Sequence, residues 1–153
     1  MSALELKIPP VAVVLAFSLA MWLVGVQLPS LVVSLPLRTA LVAVLAASGT
    51  AFALAGVAAF RKARTTVNPL HPGSASAIVM SGVYRLSRNP MYVGLLLALA
   101  AWAVYLSHPV AFIFLPLFIA YMNRFQIVPE ERALSSKFGS EFAAYRRSVR
   151  RWL

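Results

Sequence analysis

Four long apolar stretches, at residues 11–28, 37–60, 91–107 and 110–127, dominate the hydropathy pattern of this chain. Charge is almost absent from them. Arg38 and Arg124 are the exceptions, and both lie near stretch ends, where a long basic side chain can reach back to the headgroups. An α-helix needs about 20 residues to cross a hydrocarbon core of about 30 Å, with roughly 17 to 25 observed. All four stretches meet that length. The pattern predicts an all-α polytopic membrane protein, with four transmembrane helices in one integral membrane domain covering residues 1–153. Lys7 and Pro9-Pro10 precede the first stretch, and no Ala-x-Ala-like site follows it near Leu28-Pro29. It is therefore expected to be a retained span rather than a cleaved leader.

The polar segments break this rhythm in two places. Residues 61–90 form the longest interruption and contain Asn68-Pro69 and His71-Pro72-Gly73, both turn signals. A loop of that length in a compact protein is usually either functional or disordered, and its lead into the Tyr84–Tyr92 cluster favours function. After residue 127 the period itself changes. Leu134, Phe138, Phe142, Tyr145, Val149 and Trp152 recur at helical spacing, with lysines and arginines between them. Pro129 suits a first helical turn, and Gly139 interrupts the pattern before Ser140, a residue suited to capping. Residues 129–153 are expected to form an amphipathic cytoplasmic segment of two short helices, lying on the membrane or over the spans as a lid.

Composition supports the membrane reading, since 61% of residues are hydrophobic and the mean hydropathy is +0.81. The small residues Ala43, Ala46, Ala47, Gly49, Ala53 and Gly56 would let the second span approach a neighbour closely. Net charge is +10, and its distribution matters more than its size. Arg61, Lys62 and Arg64 follow the second stretch, Arg85 and Arg88 precede the third, and six more basic residues follow the fourth. The turns at 29–36 and around His108-Pro109 have no Lys or Arg. This asymmetry places both termini and the central loop in the cytoplasm. The basic excess reads as a topology signal and a contact with anionic lipid, not as a nucleic-acid surface, because no basic-aromatic module accompanies it. The chain has no cysteine, which excludes thiolate metal sites and cysteine nucleophiles. His71 and His108 fall on opposite sides under this topology, so no metal site is expected.

Chemistry is concentrated at the cytoplasmic mouth of the third and fourth spans. Asn89-Pro90 reads as a cap and a first helical residue, which would present free backbone N–H groups and the positive end of a helix dipole. Arg85 and Arg88 add charge, giving an anion site for a carboxylate or phosphate. Glu130 and Glu131 are two of only four acidic residues in the chain. They suit an ammonium or sulfonium group, or a pairing with Arg85, Arg88 or Arg124. Adjacent helical residues point about 100° apart, so one is expected to face a pocket and the other to make a structural ion pair. The third and fourth spans form an antiparallel hairpin, so these two clusters must be neighbours. Tyr84, Tyr92 and Tyr121 can supply aromatic faces for a ring or a cation.

The run from Ser81 through Gly82-Val83-Tyr84-Arg85-Leu86-Ser87-Arg88-Asn89-Pro90-Met91-Tyr92-Val93-Gly94 resembles the signature of the isoprenylcysteine carboxyl methyltransferase and phospholipid methyltransferase superfamily. The run from Pro129-Glu130-Glu131 to Tyr145, with Val149-Arg150-Arg151-Trp152, resembles its C-terminal motif, and Thr65-Thr66-Val67-Asn68-Pro69 is similar to its small bacterial members. The resemblance implies S-adenosylmethionine as cofactor and a bacterial inner-membrane location. It implies that Tyr84, Asn89, Pro90, Met91 and Tyr92, with the loop residues Ser76, Ala77, Ile78 and Val79, line the cofactor. Glu130 would bind its amino group, Arg88 and Glu131 would support that geometry as the catalytic pair, and Gly94 would allow close helix approach. Asn89 stands where the isoprenylcysteine enzymes usually carry histidine, and Gln126 where they carry a substrate-associated arginine. The implied reaction is methyl transfer to a lipid or isoprenoid-type acceptor at the cytoplasmic face. The acceptor is a carboxylate in the first reading and a phospholipid amine in the second. A proton-coupled exporter is disfavoured because no acidic residue lies within the spans. A non-enzymatic membrane scaffold would leave the paired motifs unexplained.

Overall fold

The computed structural model describes residues 5–27, 29, 31, 33–64 and 76–153. The Thr65–Pro69 motif, His71-Pro72-Gly73 and Leu28 lie outside the described residues. The apolar stretches fold as helices: α1 (Pro10–Gly25), α2 (Leu35–Lys62), α3 (Pro90–Leu106) and α4 (Phe114–Met122), the last continued by α5 (Val128–Ser148). Short 3-10 turns, Gly82–Arg85 and Pro109–Ile113, lead into α3 and α4. No strand occurs among the described residues. Prolines open α1, α2 and α3 near their first helical positions, where a missing N–H costs nothing.

α2 and the continuous helix Pro109–Ser148 are long and apolar enough to cross a membrane, while α1 and α3 are apolar but shorter, at 16 and 17 residues. Leu15, Leu19, Val44, Leu54 and Leu117 are each more than half exposed. In water so many exposed apolar side chains would be an aggregation liability, whereas hydrocarbon solvates them.

α3 is the centre of the bundle. Its Leu99 and Ala103 are sealed with Met21 of α1 and Phe118 and Met122 of α4. Phe17 of α1 meets Phe114, Phe118 and Tyr121 edge-on, with ring centroids 5.6–6.3 Å apart. The Trp102 indole N–H donates to the Ser18 carbonyl at 3.0 Å. α2 lies to one side and reaches α3 through glycine. A Cβ on Gly49 would stand 2.8 Å from the Gly94 carbonyl oxygen, and one on Gly94 would stand 2.6 Å from that of Gly49. The backbones are in contact there, as the small-residue pattern of the second stretch requires.

The junction of α4 and α5 differs from the sequence expectation. Instead of ending before Pro129, the helix continues through a π-helical turn, Asn123–Ile127. Pro129 has no N–H for the Phe125 carbonyl four residues earlier, and its ring crowds that oxygen. The wider turn accommodates the conflict, and the Phe125 oxygen accepts instead from the Leu6 N–H at 3.0 Å. Beyond it α5 bends at Gly139 (φ 51°, ψ −119°), as its sequence position suggests. The helix stops at Ser148, earlier than the apolar spacing predicts. Val149 is extended, and residues 149–152 run as a strap across the start of α3.

Candidate active site

The α3–α4 hairpin brings the start of α3 and the end of α4 together, and the two adjacent glutamates diverge there. The Tyr92 hydroxyl donates to Glu130 Oε1 at 2.5 Å, and the Gln126 side-chain amide donates to the same oxygen at 2.7 Å. Gln126 and Glu130 are four residues apart and share a helix face. Glu131 points the other way. Arg88 donates to its Oε1 at 2.8 Å, and Arg151 donates to Oε1 and Oε2 at 3.2 and 2.7 Å.

Arg88 and Arg151 turn this ion pair into a clamp for the strap. The Arg88 guanidinium also donates to the carbonyl oxygens of Val149 (2.6 Å) and Arg146 (3.0 Å), and its backbone N–H to that of Arg150 (2.9 Å). The Asn89 side-chain amide donates to the Arg151 carbonyl at 2.9 Å, and the Ser87 hydroxyl donates to it at 3.3 Å. The Trp152 indole N–H donates to Asn123 Oδ1 in the π turn at 3.1 Å. The start of α3, the π turn and the strap are thus tied together by side chains from all three.

This arrangement corrects two expectations. Asn89 occupies the cap position but makes no side-chain capping bond, because a strap carbonyl takes its amide. Arg88 is not an open anion receptor on the Tyr92 face. Glu131 and the strap carbonyls occupy its terminal nitrogens.

Electrostatics separates the two carboxylates further. Burial pushes Glu130 up to about 7, reinforced by the charge of Glu131 and only partly offset by the hydrogen bonds from Tyr92 and Gln126. Burial also acts on Glu131, but the hydrogen bonds and charges of Arg151 and Arg88 outweigh it and hold that carboxyl below its ordinary value. Among the described residues Glu130 has no cationic partner, although Glu5 and Glu131 each take two arginines. A buried carboxylate beside aromatic rings and without a counter-ion suits a cationic ligand.

Tyr84 is buried and stacks edge-on against Phe60, centroids 5.4 Å apart. Burial, with the neighbouring Tyr145 and Glu130, raises its hydroxyl well above the ordinary tyrosine value. The Tyr145 hydroxyl donates to the Tyr84 carbonyl at 2.7 Å, which fastens α5 to the segment before α3. Tyr92 and Gln126 meet at Glu130, and Tyr84 lies close enough to feel its charge.

A family model described as phospholipid methyltransferase matches residues 37–141. The chain belongs to that family. Membership implies methyl transfer to a lipid-type substrate at a membrane, and the matched stretch contains every sequence-predicted site residue. The chain is also 48% identical over 63 residues to an uncharacterized protein of Haemophilus influenzae, a stretch that is 41% of this chain and the whole of that protein. No solved structure matches the chain.

The remaining candidates of this family member differ in burial. Val79 is buried, Ala77 and Ile78 are half-buried, and Ser76 is exposed, its hydroxyl donating to the Arg64 carbonyl at 3.4 Å. Pro90 is fully buried at the first turn of α3. Met91 faces α2, where a Cβ on Gly56 would stand 2.6 Å from its Cγ. Sequence reasoning named no partner for Glu5 and did not place Arg151 or Tyr145 among the site residues. Glu5, nearly buried, pairs with Arg124 (3.0 Å) and Arg132 (3.3 Å) and pins the N-terminal segment beside the π turn. Scarcity was the available signal, since each acidic residue in so basic a chain invites arginine partners.

Proposed function

We propose that this protein transfers a methyl group from S-adenosylmethionine to a lipid or isoprenoid-type acceptor at the cytoplasmic face of a bacterial inner membrane. In this reading α1, α2, α3 and α4 with its π turn span the bilayer, with α5 and both termini in the cytoplasm. The observation that carries the proposal is Glu130, a buried carboxylate held by Tyr92 and Gln126 and lacking a cation. The donor set fits the cofactor: a carboxylate for its ammonium group, and the faces of Tyr84 and Tyr92 for its ring or sulfonium. Bound there, the cofactor supplies an electrophilic methyl group on a positively charged sulfur.

The protein's own part is to position and to exclude water. Displacement at a methyl carbon is in-line, and holding donor and acceptor together can lower the barrier by roughly 7–11 kcal/mol. Tyr92 and Gln126 fix the Glu130 carboxylate before any ligand arrives. The Arg88–Glu131–Arg151 clamp holds the strap against the start of α3 and so keeps Tyr92 facing Glu130. These are the supporting roles we assign to Arg88 and Glu131. Neither needs to touch the reacting atoms.

The acceptor we favour is a lipid-borne carboxylate, as in the isoprenylcysteine enzymes. Its methylation needs no proton removal, and both Tyr92 and Gln126 already engage Oε1 of Glu130, the group best placed to act as a base. Calorimetric titration of the purified protein with S-adenosylmethionine and its demethylated product tests the cofactor. Radiolabelled methyl transfer to carboxylate-bearing and amine-bearing lipids tests the acceptor. Micromolar binding that Glu130→Gln abolishes supports the proposal. Absence of binding in protein shown to be folded in lipid would leave a scaffold as the better reading.

A further inference from the structure

Beside the clamp, a shallow cavity of about 270 Å³ is lined by Arg88, Ala143, Arg146 and Arg147. Three of its four lining residues are arginines. Arg146 and Arg147 make no ion pair among the described residues. Arg88 has its terminal nitrogens engaged, yet its Nε is buried without a hydrogen-bond partner. A buried guanidinium N–H without an acceptor is costly, and so is the convergence of like charges on one cavity. A multidentate oxyanion bound in the cavity relieves the second. The planar fork of arginine matches phosphate oxygens in particular. Ala143, the small member of the lining, leaves the room.

We propose that this cavity is a phosphate site, separate from the Glu130 site and opposite to it in charge preference. The phosphate group is that of an anionic lipid headgroup or a soluble phosphate. The first source fits the location, because Arg146 and Arg147 lie in the last turn of a helix that continues directly from a candidate span.

The test is calorimetric titration of the full-length protein in a neutral detergent with short-chain phosphatidylglycerol, phosphatidylcholine of the same chain length, and inorganic phosphate. Phosphatidylglycerol should bind and phosphatidylcholine should not. The double variant Arg146→Gln/Arg147→Gln should weaken binding about 30-fold, as expected for two basic side chains at an anionic headgroup. The variant Arg61→Gln/Lys62→Gln removes the same charge elsewhere and should bind as the parent does. Ala143→Phe, which keeps every charge and fills the cavity, should abolish binding. Phosphatidylglycerol displacing inorganic phosphate assigns the site to lipid. Inorganic phosphate binding that Ala143→Phe abolishes, and that the lipid leaves undisturbed, assigns it to a soluble ligand. Equal weakening in both double variants, or undiminished binding in Ala143→Phe, would overturn the proposal.

Discussion

Glu130 and Glu131 share a peptide bond and live in opposite electrostatic surroundings: the first is held by Tyr92 and Gln126 without a cation, the second by Arg88 and Arg151. Helical geometry separates their side chains by about 100°, enough to aim one at the bundle interior and the other at the strap. Among the described residues one carboxylate is left without a cation, and the other is committed to two ion pairs.

That division predicts a trade between stability and function at Glu130. The folded protein holds this carboxyl near 7 against an ordinary value of 4.5. The native state therefore binds more protons than the unfolded state between those values, and stability falls as pH rises through that window. Glu130→Gln should raise the thermal midpoint at pH 8, by roughly 1–3 kcal/mol of stability, while losing cofactor binding. Thermal melts with and without S-adenosylmethionine check both halves. A variant that is less stable at pH 8 would contradict the electrostatic account.

Cofactor affinity should depend on pH through the same group. A cationic ligand prefers the ionised carboxylate, so binding should be level above pH 7 and weaken toward tenfold per unit below it. Calorimetry from pH 5.5 to 8.5 measures this. An affinity flat across that range would remove Glu130 from the ligand's contacts.

Glu131→Gln should act mainly on structure. It leaves Arg88 buried with a diminished partner and releases one end of the strap, at a cost of about 3 kcal/mol or more. Its own lowered pKa means that the native interaction is present above the ordinary carboxylate value and is lost on acidification below it. Melting curves of the variant should therefore converge with those of the parent at low pH. Limited proteolysis should show faster cleavage after Arg150 and Arg151.

Gly94→Ala places a methyl group against the Gly49 carbonyl and the Ala53 Cβ, at 2.6 and 3.1 Å. Neither neighbour is a flexible side-chain tip, so the helices must part, at about 1–3 kcal/mol. Gly139→Ala meets no such wall, and its cost comes from the positive φ alone. Comparing the two by thermal melt separates packing from backbone strain.

Topology can be tested without first removing native thiols, since there are none. Gln27→Cys should react with an impermeant maleimide added outside intact cells, and Ser148→Cys only after lysis. Labelling of both from one side would refute the four-span arrangement.

The helices were legible because an apolar run long enough to cross a bilayer leaves few alternatives to a helix. The meeting of the two motifs followed from the hairpin, and the divergence of the glutamates from helical pitch. What sequence could not supply were the partners. Asn89-Pro90 has the composition of a cap, yet a carbonyl 62 residues later takes the asparagine amide. Pro129 looked like a beginning because a proline inside a helix normally breaks it. A π turn and a donated N–H from Leu6 resolved the conflict instead. Trp152 fits the helical spacing of α5 only by coincidence, since the chain there is extended and its indole answers to Asn123.

The strap follows, in chain order, every helix it fastens. The ends of α3 and α5 at the clamp therefore stay untied until residues 149–152 have been made. Until then Ser87, Arg88 and Asn89 lack the strap carbonyls that hold them.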